Sequence, residues 1–305
     1  MVNRRGFLCA TGTLTAAALT GCGGDPTPTV RVAAGEVGGF YHAFAELLAR
    51  AAATTGTVRI EPVTTTGSFA NLAMLDRGEV DAALALADSI DADPDRERLL
   101  ALGRVYENYL QFVVRDTGRI RTAADLRGAR ISLGAPGSGA TFTGDRLLRA
   151  AGLEPGRDVE ITHLALRDAV TSLDDGFIDA LLWAGGVPTP ALDVPHALRL
   201  LDLGDLAQPM RDRFGYLYDR VTIPADAYPG AAAVRTIGVA NLLVTTGSLP
   251  GHAAAALTEL LITRPEDLVP AEAAGTQFLD VRSLIGTDGV PLHPGAVPVY
   301  RRHHG

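Results

Sequence analysis

Lysine is absent from this chain: all 27 basic residues are arginine, set against 35 Asp and Glu for a formal net charge of −8. Together with abundant alanine, this is the mark of GC-rich codon usage rather than of 27 specific arginine sites. No large basic block interrupts the sequence, which argues against nucleic acid as a partner. Cysteine occurs only at Cys9 and Cys22, so there is no disulfide framework and no thiolate cluster for a metal. The seven histidines are scattered, and His303-His304 is a terminal pair without a partner. No His-x-x-x-His or carboxylate cluster suggests a metal. Ser138 stands in Gly-Ser-Gly and not in Gly-x-Ser-x-Gly, so a nucleophile elbow is missing. With no acid–base pair or cofactor motif visible, neither catalysis nor a cofactor is expected. Asp91-Ala92-Asp93-Pro94-Asp95 opens like a calcium loop, but Arg96 replaces the required Gly and Leu102 the required Glu. It reads as a solvated loop.

What is present is a repeat. Arg130-Ile131-Ser132-Leu133-Gly134-Ala135-Pro136-Gly137 matches Arg31-Val32-Ala33-Ala34-Gly35-Glu36-Val37-Gly38 at a constant offset. The shared pattern, Arg-(Val/Ile)-x-x-Gly-x-x-Gly, is a short apolar strand running into a glycine loop and then a helix. Such a loop leaves amide N–H groups uncovered at a helix start, where anions bind. A second pair repeats at nearly the same offset: Leu75-Asp76-Arg77-Gly78-Glu79-Val80-Asp81-Ala82 and Leu173-Asp174-Asp175-Gly176-Phe177-Ile178-Asp179-Ala180. Each copy reads as a helix end, a Gly stop and an apolar strand. Two similar α/β lobes with facing glycine loops follow, and 305 residues are enough for both.

The first residues are set apart. Asn3-Arg4-Arg5-Gly6-Phe7-Leu8 looks like a twin-arginine export signal, and the Ala/Leu/Thr run after it is too short for a permanent membrane span. Leu19-Thr20-Gly21-Cys22 resembles a bacterial lipobox with Cys22 as the acylated residue; the alternative is a plain secretory signal with an incidental cysteine. The expected organisation is a signal peptide over 1–21, a tether over 22–28, a first lobe from 29–113 and 234–305, and a second from 114–233. An exported, lipid-anchored monomer results.

Strands are expected at Val30–Ala34, Val58–Val63, Asp81–Ala87, Leu102–Val114, Arg130–Leu133, Val159–Leu164, Ile178–Trp183, Leu198–Leu203 and Val234–Val244, the two long ones crossing between lobes. Helices are expected after each glycine loop, over Phe69–Arg77 with Ser68 as N-cap, over Arg167–Asp175, from Ser248-Leu249-Pro250 through Leu261 with Ser248 as cap, and over Glu266–Leu279. Thr122-Ala123-Ala124-Asp125 is a capping box, and Pro291-Leu292-His293-Pro294 an extended tail. Alternating strands and helices argue for a mostly parallel sheet, with ligands gathering at strand carboxyl ends.

Several segments carry a resemblance: Gly38-Gly39-Phe40-Tyr41, Gly67-Ser68-Phe69-Ala70-Asn71-Leu72, Leu84-Ala85-Leu86-Ala87-Asp88, Gly134-Ala135-Pro136-Gly137-Ser138-Gly139, Ile223-Pro224-Ala225-Asp226-Ala227-Tyr228-Pro229-Gly230, Leu242-Leu243-Val244-Thr245 and Pro291-Leu292-His293-Pro294-Gly295. In this order they resemble the TAXI family, the solute-binding proteins of TRAP-type transporters. The resemblance implies a type II periplasmic-binding-protein fold, two α/β lobes joined by two crossover strands around a central cleft. It implies capture of a small organic anion, glutamate- or 2-oxoglutarate-like, and delivery to a TRAP-type permease. The implied ligand contacts are Gly39, Tyr41, Thr66, Ser68 and Asp88 from the first lobe, and Gly137, Ser138, Gly139, Thr141, Trp183, Gly185 and Val187 from the second. Departures from the family pattern at Ala140, Leu86 and Thr189 each exchange a polar group for a smaller or apolar one. The alternative for the loops is that they are ordinary strand-to-helix turns, and for Trp183 that it is core. Arg115, Arg146 and Arg167 are candidates for neutralising an anion, and Tyr216 and Tyr218 for the hinge or the cleft rim. A sensory subunit for a membrane histidine kinase is the neighbouring functional reading, and an enzyme on the same two-lobed fold is the rival from another class.

Overall fold

The computed structural model describes residues 27–193, 198–270 and 279–304. The export signal, Cys22 and most of the tether lie outside the described residues. The first lobe opens with β1 (Thr29–Ala33), α1 (Phe40–Thr55), β2 (Arg59–Val63), α2 (Ser68–Asp76), β3 (Ala82–Leu86) and the short α3 (Ala87–Asp91). A 17-residue strand, β4 (Leu99–Arg115), leads into the second lobe. There β5 (Arg130–Ser132), α4 (Gly139–Ala150), β6 (Glu160–Thr162), α5 (Leu166–Asp174) and β7 (Ala180–Gly185) repeat the first lobe's order. After β8 (Leu198–Leu200), α6 (Ala207–Phe214) and β9 (Asp219–Ile223), the 13-residue β10 (Val234–Thr246) returns the chain. It ends in α7 (Gly251–Thr263), α8 (Val281–Leu284) and α9 (Val297–His304).

One continuous sheet runs β2-β1-β3-β10-β4-β7-β5-β6. It is parallel within each lobe, where β1 pairs with β2 and β3, and β5 with β6 and β7. Around the two long strands it is antiparallel, β10 against β3, β4 and β9, and β4 against β7 and β8. The mostly parallel expectation therefore holds lobe by lobe, and the crossing pair supplies the exceptions. Strand order in the second lobe mirrors the first, with β4 and β10 back to back at the centre. The architecture is a two-lobed α/β fold with two crossover strands and a cleft between lobes.

Each lobe buries its own core. Phe40, Phe44 and Leu48 of α1 pack with Leu84, Leu102 and Leu257, and Leu147 and Leu148 of α4 pack with Ile131, Leu182 and Met210. The helical spacing of those apolar residues is what sends one face of each helix to the sheet.

Four local expectations are corrected. Gly67, at φ +127°, is the N-cap of α2, and Ser68 is already helical. The Ser68 hydroxyl is used elsewhere: it accepts from the Leu86 N–H at 3.1 Å. Pro250, not Ser248, caps α7, because the Ser248 hydroxyl is paired with Thr246. No α-helix begins at Glu266: Pro265–Leu268 is a single 3-10 turn, Val269 is extended, and Pro270 has no N–H to continue a helix; residues 271–278 lie outside the described residues. Leu292 pairs with Ala101 as an extended segment, but the chain then folds into α9. The Thr122 capping box is present, with the Asp125 carboxylate accepting the Thr122 N–H at 2.9 Å.

Candidate functional site

Three helices begin at the cleft: α1 after Gly39, α2 after Gly67 and α4 after Ser138. The first two belong to one lobe and the third to the other. Between them lies a cavity of about 50 Å³, walled by both glycine loops, by Thr66 and Ser68, by Leu86, by Tyr106 and Asn108 of β4, and by Trp183 to Gly185 of β7. A volume of that size accommodates about one or two water molecules. Each helix start adds the partial positive charge of its dipole to the wall, although the Ala70 N–H of α2 and the Thr141 N–H of α4 are already paired with the Gly137 carbonyl and Ser138 Oγ. The one charged side chain in the wall is the Glu36 carboxylate.

Hydrogen bonds fix the wall from behind. Tyr41 donates to Asn241 Oδ1 of β10 and its hydroxyl lies 3.2 Å from Ser68 Oγ. Burial pushes the Tyr41 phenol well above its ordinary range, so it remains neutral. Tyr106 donates to Asn108, whose amide donates to the Ala184 carbonyl at 3.1 Å. Trp183 Nε1 donates to Thr189 Oγ1 at 3.0 Å, which orients the indole. The far edge of its ring lies 3.4 Å from where a Gly39 Cβ would sit, and a Cβ at Gly185 would strike Nε1 at 2.2 Å. Gly185 is therefore required for the indole to occupy this wall, whereas a Cβ at Gly39 would only touch the ring.

Of the residues expected at a ligand, the structure brings Gly39, Tyr41, Thr66, Ser68, Ser138, Gly139, Trp183 and Gly185 to the cavity. It does not bring Asp88, Gly137, Thr141 or Val187 there. Thr141 is turned inward, donating to the Leu133 and Ala135 carbonyls, while Ser138 Oγ caps α4 through the Thr141 N–H. Val187 is buried behind the strand end. Gly137 and Asp88 lie between the lobes: the Gly137 carbonyl accepts from the Ala70 N–H at 3.1 Å, and the Asp88 carboxylate accepts from Thr143 and Tyr218. Burial raises the Asp88 pKa, opposed by the Thr143 hydrogen bond, the Arg146 charge and the Tyr218 hydroxyl. Glu36 adds a further bridge, its carboxylate accepting the Leu166 N–H at the start of α5 at 3.1 Å.

Glu36, Tyr106 and Asn108 were not foreseen as wall residues. The alternation along β4 carried no warning, because that strand is buried on both faces. Of the two tyrosines considered for the hinge, Tyr218 is buried between the lobes and Tyr216 is exposed. Among the three candidate arginines, Arg115 bonds the Leu173 and Ile178 carbonyls, and Arg146 bonds Tyr218 and stacks on Phe142. Neither reaches the cavity. Arg167 stands at the cleft mouth, its guanidinium 3.8 Å from the position of a Gly38 Cβ.

Similar folds occur among solved structures. A Bordetella bronchiseptica protein superposes with a TM-score of 0.58 at 14% identity, covering 91% of this chain and 98% of its own. PhnD1 from Prochlorococcus marinus, solved in complex with methylphosphonate, gives 0.52 at 12% identity over 80% of this chain and 83% of that one. A putative L-cystine ABC transporter protein from Listeria monocytogenes gives 0.51 at 16% identity over 83% and 99%. At such identities the likeness is one of fold. The sequence itself matches the NMT1-like family from residue 32 to residue 303, nearly all of the described chain, and the protein belongs to that family.

Proposed function

We propose that this protein is an exported solute-binding protein that captures a small organic anion between its lobes and presents it to a membrane permease. The observation that carries the reading is the convergence of three helix N-termini from both lobes on one cavity. An anion bound there interacts favourably with both lobes at once, so it stabilises their contact over their separation. Hinge bending of β4 and β10 then couples binding to shape, so that a permease can distinguish the closed form from the open one. Micromolar affinity, roughly 8 kcal/mol, is sufficient for the task. No catalytic group is required.

The resemblance of the glycine-loop segments to the TAXI family favours a TRAP-type permease as partner and a glutamate- or 2-oxoglutarate-like ligand. The Listeria neighbour favours an ABC permease as the second reading. Ion-gradient dependence of uptake distinguishes the two, since collapse of the gradient stops only the TRAP route. Sensing for a histidine kinase shares the binding step and differs in the partner. Within the proposal, Cys22 carries the lipid anchor and the 12 residues named from the sequence form or support the binding cleft.

The test is calorimetric titration of ligand-stripped residues 29–305 with L-glutamate, 2-oxoglutarate and C4–C6 dicarboxylates. One-to-one saturable binding that disappears in Ser138→Trp supports the reading. Absence of binding across the panel, with the protein folded, overturns the acidic-ligand assignment.

A further inference from the structure

The inner cavity has room for one compact anionic group and not for a five-carbon diacid. A second compartment of about 400 Å³ adjoins it. The two meet along Glu36, Gly39, Thr66 and Trp183, which line both. The outer compartment is completed by Gly38, Thr64, Thr65, Leu166, Arg167 and Asp168. Its charged side chains are two carboxylates, Glu36 and Asp168, and one guanidinium, Arg167. Glu36 is tied to the Leu166 N–H, and Asp168 lies close enough to help raise its pKa, after burial itself. A second anionic end entering this compartment without Arg167 would meet only negative charge. Arg115 and Arg146 are held by carbonyls, Tyr218 and aromatic rings, whereas no hydrogen bond or ion pair engages the Arg167 side chain among the described residues. The guanidinium faces Gly38, where the absent side chain leaves space beside it.

Resting on the solute-binding reading above, we infer that Arg167 is the specificity-determining residue of an outer subsite: it receives the second anionic group of a ligand whose first occupies the inner cavity. The cleft therefore selects solutes with two anionic ends over those with one. Helix N-termini hold the inner end, and a planar two-pronged donor suits a carboxylate at the outer end. Because Arg167 is the one positive side chain beside Glu36 and Asp168, its removal does more than delete an ion pair. It leaves both carboxylates facing the second anionic end with no counter-charge.

The experiment compares glutarate with butyrate on the wild type, Arg167→Gln and Arg167→Lys by calorimetry, with thermal melts to establish folding. The wild type is expected to prefer glutarate at least tenfold. Arg167→Gln is expected to lose that preference, its glutarate affinity falling at least tenfold further than its butyrate affinity, and Arg167→Lys to retain part of it. Equal losses for both ligands, or an unchanged preference in Arg167→Gln, overturn the assignment of Arg167. A wild type that binds butyrate as tightly as glutarate overturns it too, leaving solute binding intact. A wild type that binds neither overturns the acidic-ligand assignment and this inference with it.

Discussion

The Asp88 carboxylate of one lobe accepts a hydrogen bond from the Thr143 hydroxyl of the other, 2.7 Å away and fully buried. Tyr218 donates to the same oxygen at 3.1 Å and is itself held by Arg146 at 2.8 Å. A buried carboxylate with these donors is stable, and one stripped of them is costly. The contact exists only while the lobes touch, so its energy belongs to closure. In Thr143→Val, ligand affinity is expected to fall about fivefold, close to 1 kcal/mol, with little change in melting temperature of the ligand-free protein. Small-angle scattering is expected to show a larger radius of gyration at a given ligand concentration. An unchanged affinity would remove Asp88 from the closing mechanism.

Glycine sets the closeness of the same approach. A Cβ on Gly139 of the second lobe would lie 2.5 Å from Leu86 Cδ1 and 2.7 Å from Ser68 Oγ of the first. Gly139 sits in the first turn of α4, where any residue is tolerated by the backbone. Gly139→Val is therefore expected to fold normally yet hold the lobes apart. Ligand binding weakens by at least tenfold while thermal stability changes by less than about 1 kcal/mol. Titration calorimetry paired with a melt reads both quantities, and a variant that binds normally would show that the cleft closes by another route.

The repeat in the sequence proves to be a repeat in hydrogen bonding. Arg31 N–H and Nε donate to Asp81 Oδ2 while Nη2 reaches the Gly78 carbonyl; Arg130 does the same to Asp179 and Gly176 in the other lobe. That is why Arg, Gly and Asp recur at matching positions, and why both lobes could be read from the sequence. The glycine loops and helix starts were legible for the same reason, since short-range backbone demands leave short-range sequence marks. The lobe-to-lobe partners were not. Asp88 and Thr143 are 55 residues apart and Tyr218 a further 75, so their meeting is fixed by sheet order and crossing strands. Tyr106 and Asn108 were hidden within a strand too apolar to show which side faces the cleft. Asp88 illustrates the limit well: a strand-end carboxylate beside a cleft reads as a ligand contact, and here it serves the opposite lobe.

The crossing strands also hold a titratable group. Glu107 of β4 is buried against Gly238 of β10, with Oε1 lacking a hydrogen-bond partner among the described residues and Arg104 3.7 Å from its other oxygen. Burial is the main cause of a pKa pushed up to about 7; the Arg104 charge opposes it, and Asp219 and Asp288 add to it. The folded state thus holds a proton that the unfolded chain releases near pH 4.5. Between those values the native state binds more protons, so stability falls as pH rises through the window. In Glu107→Gln the melting temperature is expected to match wild type at pH 5 and to exceed it at pH 8, by about 1–3 kcal/mol in stability. A variant whose melt tracks wild type at every pH would show that Glu107 is solvated in solution.

Trp183 is the only tryptophan in the chain and forms part of the cavity wall, its indole N–H held by Thr189. Its emission therefore reports on one location. An anion arriving beside the ring changes the local field and displaces water from its edge, so titration with a bound dicarboxylate is expected to shift or quench fluorescence in a single saturable phase. The midpoint should agree with the calorimetric dissociation constant. Thr189→Val frees the indole N–H from its acceptor and removes the constraint on ring orientation. Ligand affinity then falls about threefold to tenfold, the usual cost of one hydrogen bond to a wall residue, and the fluorescence change shrinks with it. A signal that persists unchanged in Ser138→Trp, after correction for the added indole, would place the reporter outside the binding event and sever Trp183 from the ligand.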